Sequence, residues 1–240
     1  MNSKALRTML VLVGMLGAVA PAWCQYSSYR TRPVSDREGE FRLRMGSFRP
    51  EGDSQYWHDK QLDFNGTASD LEGPIGSLDY LLGLDNHLSL IFSGSYYEGN
   101  TTQSYRDFLD NGGHRIRHDT TPGIGSATLG VIYHLTGRGA PVTPYIGAGG
   151  GGYFWRLEEN GDFIDFNHGN AIFSSNLKSS GTAFGGYALV GLEASITRNV
   201  SLFAEGRWTK VHDDLKDDFE GFGKIDLSGR EIAAGIAWRL

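Results

Sequence analysis

Ala127-Thr128-Leu129-Gly130-Val131-Ile132-Tyr133-His134-Leu135 places Ala127, Leu129, Val131, Tyr133 and Leu135 on one parity and Thr128, Gly130 and His134 on the other. Period two is the mark of a β-strand with two unlike faces. The pattern recurs on both sides of this stretch. Leu88, Leu90, Phe92 and Tyr96 oppose Ser89, Ser93 and Ser95; Leu78, Tyr80 and Leu82 flank Asp79; Phe41, Leu43 and Met45 flank Arg42 and Arg44. Further on, Phe184, Ala188, Val190, Leu192 and Ala194 oppose Gly191, Glu193 and Ser195. Val200, Leu202, Ala204 and Trp208 oppose Ser201, Glu205, Arg207 and Thr209, and Ile232, Ala234, Ile236, Trp238 and Leu240 oppose Glu231, Gly235 and Arg239. Residues 144–157 are so rich in glycine that their faces cannot be told apart. Eight strands are expected.

The connections sort by length. Long polar segments cover about 49–73, 98–122, 158–182 and 211–226, and short ones 84–87, 136–142 and 197–199. Strict long/short alternation with an even strand number is expected of an up-and-down transmembrane β-barrel, whereas a sandwich has no reason to gather its long loops at one end. Composition agrees. The 240 residues include 34 glycines, about twice the usual share, and a narrow wall needs small residues where bulky ones approach. No apolar run reaches the length of a spanning helix, the net charge of −6 argues against nucleic acid, and one cysteine excludes a disulfide or Cys-based zinc scaffold.

The polar parity carries Arg42, Arg44, Arg207 and Arg239 with Asp79, Glu193, Glu205 and Glu231. Placed in a polar lumen, four charges of each sign can neutralise one another, while lipid takes the apolar parity. Aromatic residues fit two interfacial girdles: Trp238 and Tyr133 near the short-turn ends, Tyr96, Trp155 and Trp208 near the long-loop ends.

Lys4 and Arg7 precede an apolar run, Met9 to Ala20, followed by small residues, the three-part pattern of a secretory signal peptide. Cleavage is expected after Cys24, with Ala22 as second choice. Removing Lys4 and Arg7 leaves 20 basic against 28 acidic residues, a charge of −8. The expected organisation is a cleaved signal peptide 1–24, a short arm 25–37 and a barrel 38–240.

Gly39-Glu40-Phe41-Arg42-Leu43-Arg44-Met45-Gly46, Pro144-Tyr145-Ile146-Gly147-Ala148-Gly149, the turn and strand 197–205, and the terminal Gly235-Ile236-Ala237-Trp238-Arg239-Leu240 resemble the small outer-membrane β-barrel superfamily of the OmpW and OmpA-transmembrane type. The resemblance implies a non-enzymatic outer-membrane protein of a Gram-negative bacterium, a narrow passive pore or a structural envelope protein, with small hydrophobic or polar solutes as possible cargo. It also implies an assembly signal in Gly235, Trp238 and Leu240, although most such chains end in Phe. Implied partners are outer-membrane lipid and lipopolysaccharide, and the barrel assembly machinery and periplasmic chaperones during biogenesis. The expected state is a monomer without cofactor, catalytic residues or metal. The alternative is a surface interaction module using loop aromatics such as Tyr56, Trp57, Tyr105, Phe108, Phe163 and Phe166, residues that equally suit a loop cap packed over the barrel. An outer-membrane lipid hydrolase is the enzyme rival.

Local motifs add little. Gly147 to Gly152 matches G-x-G-x-x-G but leads into strand-like Tyr153-Phe154-Trp155 rather than a helix. His114 and His118 have a metal spacing if helical, yet Arg115 and Arg117 stand beside them. Residues 165–176 lack the glycine and closing glutamate of a calcium loop, and the acidic cluster 213–220 reads first as a solvated loop. His87-Leu88-Ser89, with Asp85 or Asp79, has the spacing of a lipid deacylase but is expected beside a short turn, away from the outer leaflet.

Overall fold

A computed structural model describes residues 38–110, 112–165 and 169–240; the segments read as signal peptide and arm, together with Phe166, lie outside the described residues. The elements are β1 (Gly39–Pro50), α1 (Gln55–Asp63), β2 (Gly73–Gly83), β3 (Leu88–Glu98), β4 (Thr101–Leu109), β5 (Arg115–His134), β6 (Val142–Asp165), β7 (Ala171–Ser195), β8 (Val200–Lys210), β9 (His212–Asp214), β10 (Lys224–Asp226) and β11 (Gly229–Arg239). Eight of these strands close a ring in the order β1-β2-β3-β5-β6-β7-β8-β11, each neighbour antiparallel. Closure sets Phe41 against Trp238 and Leu43 against Ile236. A closed ring leaves no unpaired edge within the barrel wall.

The two faces of the wall are inverted relative to a soluble barrel. Met45, Leu78, Phe92, Leu129, Phe184, Val190 and Ile232 point outward and are between 46% and 84% exposed, while Arg42, Arg44, Asp79 and Glu193 lie inside at 2% or less. An apolar belt of this extent needs a nonpolar surround.

The long connections are more ordered than their polarity implies. β6 and β7 stay paired up to Asp165 and Ala171, so most of the expected loop 158–182 is a hairpin. β4 folds back on the outer part of β5, filling the second connection. Continuing the ladder satisfies backbone groups that a loop would leave to water.

The glycines of the Gly-rich wall are seats for rings. Tyr145 on β6 lies flat over its cross-strand partner Gly191, where a Cβ would meet the Tyr145 ring at 2.2 Å. Phe203 covers Gly235 in the same way, at 2.5 Å. Gly191→Ala is therefore expected to destabilise the barrel by about 1–3 kcal/mol through overpacking. In a Tyr145→Ala background the added cost of Gly191→Ala should largely vanish, as read by urea unfolding in detergent micelles.

Candidate functional site

The lumen is filled by ion pairs laid across the ring. Arg42 and Arg44 are two residues apart on β1, so both enter the interior. Arg42 bridges Glu40 and Glu193, each at 2.6 Å, and its guanidinium lies over the Phe203 ring at 4.8 Å. Arg239 joins the same two carboxylates at 3.1 and 2.5 Å. One step further from the turns, Arg44 pairs with Glu205, with Glu231 at 3.3 Å and with Asp79 at 3.7 Å, and also donates to Ser77. Arg207 reaches Glu205 at 3.1 Å, and the Tyr145 hydroxyl donates to that carboxylate. The structure thus gathers all eight sequence-selected charges, Arg42, Arg44, Asp79, Glu193, Glu205, Arg207, Glu231 and Arg239, into two connected networks.

Above the networks lies a cavity of about 30 Å³ lined by Ser95, Ser126, Arg207, Thr209 and Glu231 on its polar side, room for one or two waters. Above the cavity the loop end is sealed by apolar packing. Tyr56, Trp57 and Leu71 from the first long connection meet Leu215, Phe219, Ile225 and Leu227 from the last, against Tyr153, Trp155 and Leu157 of β6.

One buried polar cluster pins this cap. Lys60 of α1 pairs with Glu159 of β6, donates to Thr120 at 2.8 Å and stands 3.3 Å from His118 Nε2. Tyr56 also donates to Glu159. The His118 ring is stacked on Phe163 and met edge-on by Phe64. Burial lowers the Lys60 pKa and, with the Lys60 charge as second cause, brings His118 from 6.5 down to about 4.

No family model and no curated protein matches this chain. Among solved structures it is similar to Neisserial surface protein A, at 15% identity and TM-score 0.48 over 85% of this chain and 97% of that one. It is likewise similar to the outer membrane protein OprG of Pseudomonas aeruginosa, at 13% identity and TM-score 0.49 over 86% and 98%. A third is Ail, the attachment invasion locus protein of Yersinia pestis, at 16% identity and TM-score 0.44 over 86% and 100%.

Other sequence-selected residues are placed apart. Trp155 is not in an outer girdle: it is buried in the cap, donating to Asp213 at 2.7 Å, and Phe154 takes the outward position. Tyr133, Tyr96, Trp208 and Trp238 do face outward. Gly235 lies inward beneath Phe203, while Leu240 points out, 71% exposed. Tyr56, Trp57, Tyr105 and Phe163 are buried rather than exposed loop anchors. Ser89 bonds His134 instead of His87, Asp85 caps its own turn through the amides of His87 and Leu88, and Asp79 belongs to Arg44. His118 is buried away from His114, which is exposed and pairs with Asp110. Among the described residues no group of three or more metal-ligating side chains converges.

Two residues of the turn end stand outside the charges selected from sequence: Glu40, which shares the parity of Arg42 and Arg44, and Arg138, whose guanidinium crosses the turn end to the Glu38 carbonyl and occupies the space beside Gly83. Lys60 and Glu159, in long polar connections, gave no periodic signal.

Two outcomes follow from this geometry. Arg44→Met leaves Asp79, Glu205 and Glu231 short of their shared cation and is expected to cost about 3–5 kcal/mol of unfolding free energy. Adding Asp79→Asn and Glu231→Gln to that variant should restore most of it, measured by urea titration in micelles. For the cap, the unfolded chain binds a proton at His118 near pH 6.5 that the folded chain refuses until about 4. Cap stability is therefore full above about pH 6.5 and declines as the pH falls toward 4. Amide protection factors along α1 should drop between pH 7 and 5, and His118→Phe should flatten that dependence.

Proposed function

We propose that this chain is a non-enzymatic outer-membrane barrel that keeps its lumen closed and presents its folded loop end as an interaction platform. The observation that carries the closed lumen is the dryness of its charges: Arg42 and Arg44 are 1% and 0% exposed, and Glu193, Glu205 and Glu231 no more than 5%. A water-filled path would leave such side chains wet. Eight strands enclose an interior that side chains can fill, and here they do so in charged pairs below and aromatic packing above.

In this reading the short turns face the periplasm, the outward belt meets lipid, and lipopolysaccharide surrounds the loop end. Outward Trp238 and Leu240, with inward Gly235 preceding them on the same strand, form the stretch the assembly machinery reads. The purified full chain in planar bilayers is expected to show no steady conductance. Replacing residues 53–71 by a short Gly-Ser link should leave it silent, since the charged layers remain. Regular, long-lived channels from the unmodified chain would return the narrow-pore reading.

A further inference from the structure

Beyond the ring, β4, β5, β6 and β7 continue as a sheet at the loop end, and its two edges differ. The β4 edge is covered: Phe64 bridges to Tyr105, and the Asn65 amide donates to the Ser104 carbonyl at 2.8 Å. The β7 edge is covered only in part. β7 pairs with β8 from Gly186 onward, and the last connection guards it near Ser179 and Lys178 through Lys216 and Asp218. From Ala171 to Leu177 its second edge has no strand partner among the described residues.

The direction of the free groups follows from one bond. The Lys178 amide donates to Asp218 Oδ2 at 2.9 Å, on the side away from β6. Amides alternate along a strand, so those of Asn176, Ser174 and Ile172 face the same open side. Each carries one donor and one acceptor, a short ladder ready for another strand. The segment Ala171-Ile172-Phe173-Ser174-Ser175-Asn176-Leu177 holds no charge and no proline that would guard an edge, and Ile172 and Phe173 are 42% and 46% exposed.

The foot of this edge is acidic. Residues 212–226 hold six carboxylates against two lysines. Asp217 and Glu220 are exposed beside the edge, and Lys178 is occupied by Glu158 at 3.8 Å. We propose that the β7 edge captures an extended basic-apolar peptide segment of a partner protein as an added antiparallel strand. β7 runs from the apolar top toward the acidic foot, so an antiparallel guest runs the other way. Its basic residues stand at its amino end beside Asp217 and Glu220, and its large apolar residues follow at every second position, covering Phe173 on one face of the sheet. A second copy upright in the same membrane presents this edge running in the same direction and cannot pair antiparallel with it.

This proposal rests on the platform reading and not on the closed lumen, which conductance tests separately, so either can fail without the other. The probe is a fluorescein-labelled peptide, Lys-Lys-Arg-Thr-Val-Thr-Phe-Thr, titrated against the full chain in lipid nanodiscs by polarisation. Saturable binding is expected, weakened by salt, with new exchange protection at the amides of Ile172, Ser174 and Asn176. Ser174→Pro removes an outward amide while leaving the β6 ladder intact, and should weaken binding at least tenfold. Asp217→Lys with Glu220→Lys should weaken it as well. Equal binding of the reversed peptide, with the basic residues at its carboxyl end, would overturn the proposal, as would binding unaffected by Ser174→Pro. Should Ser174→Pro not fold, absence of edge protection in the unmodified chain overturns it alone. Protection of these amides that depends on protein concentration without peptide would make a second copy the occupant and overturn it too.

Discussion

A guanidinium shut away from water must find its carboxylates within the wall that encloses it, and Arg44 finds them on three other strands. Asp79 comes from β2, Glu205 from β8 and Glu231 from β11. Arg42, one layer nearer the turns, draws Glu193 from β7. The cost of stranding any of these charges runs to several kcal/mol. A slip of one residue in β1, β2, β7, β8 or β11 would exchange its lipid and lumen faces, moving an arginine or a carboxylate into the apolar belt. The ion pairs thus fix register and closure together, which hydrophobic contact with lipid, being non-directional, cannot do.

The same requirement explains the glycines. Charged side chains that cross the lumen need volume, and the aromatic rings that shield them must lie flat on the wall. Tyr145 over Gly191 and Phe203 over Gly235 meet both needs, since those two rings also flank the Arg42 guanidinium. Packing and electrostatics here are one arrangement, because the ring that excludes water from Arg42 is seated by the glycine opposite.

The ring was legible wherever each parity carried a distinct chemistry. Arg42 and Arg44 between Phe41, Leu43 and Met45 could be read as inward without any structure, as could Glu205 and Arg207 between Ala204 and Trp208. The Gly-rich stretch of β6 was opaque because Gly147, Gly149 and Gly151 face inward and Gly150 and Gly152 outward, leaving no contrast. That is why the pattern points Trp155 to the outer girdle although Phe154 holds the outward position. The loop end is opaque in sequence for a related reason. β6 and β7 beyond Leu157 and Gly181 carry polar residues on both faces, a composition that resembles a loop although the ladder persists. Arg138 and Lys60 belong to connections, where side-chain direction follows no period at all.

The two ends of the barrel are closed by different physics, and connection length decides which. At the loop end, the 22 residues between Pro50 and Gly73 and the 18 between Lys210 and Gly229 suffice to carry Trp57, Leu71, Phe219 and Leu227 over the mouth. At the turn end only four residues separate β2 from β3 and four separate β7 from β8. Nothing so short can fold an apolar lid, so the closing material is what the strand ends already hold: Glu40, Glu193 and Arg239, with Arg138 reaching over from the longest turn. An apolar lid tolerates long insertions on its outer side, since its stability lies in the buried rings beneath. The loop end is accordingly the place where a sheet can be extended outward, with one edge unpaired among the described residues, without loosening the charges that hold the ring.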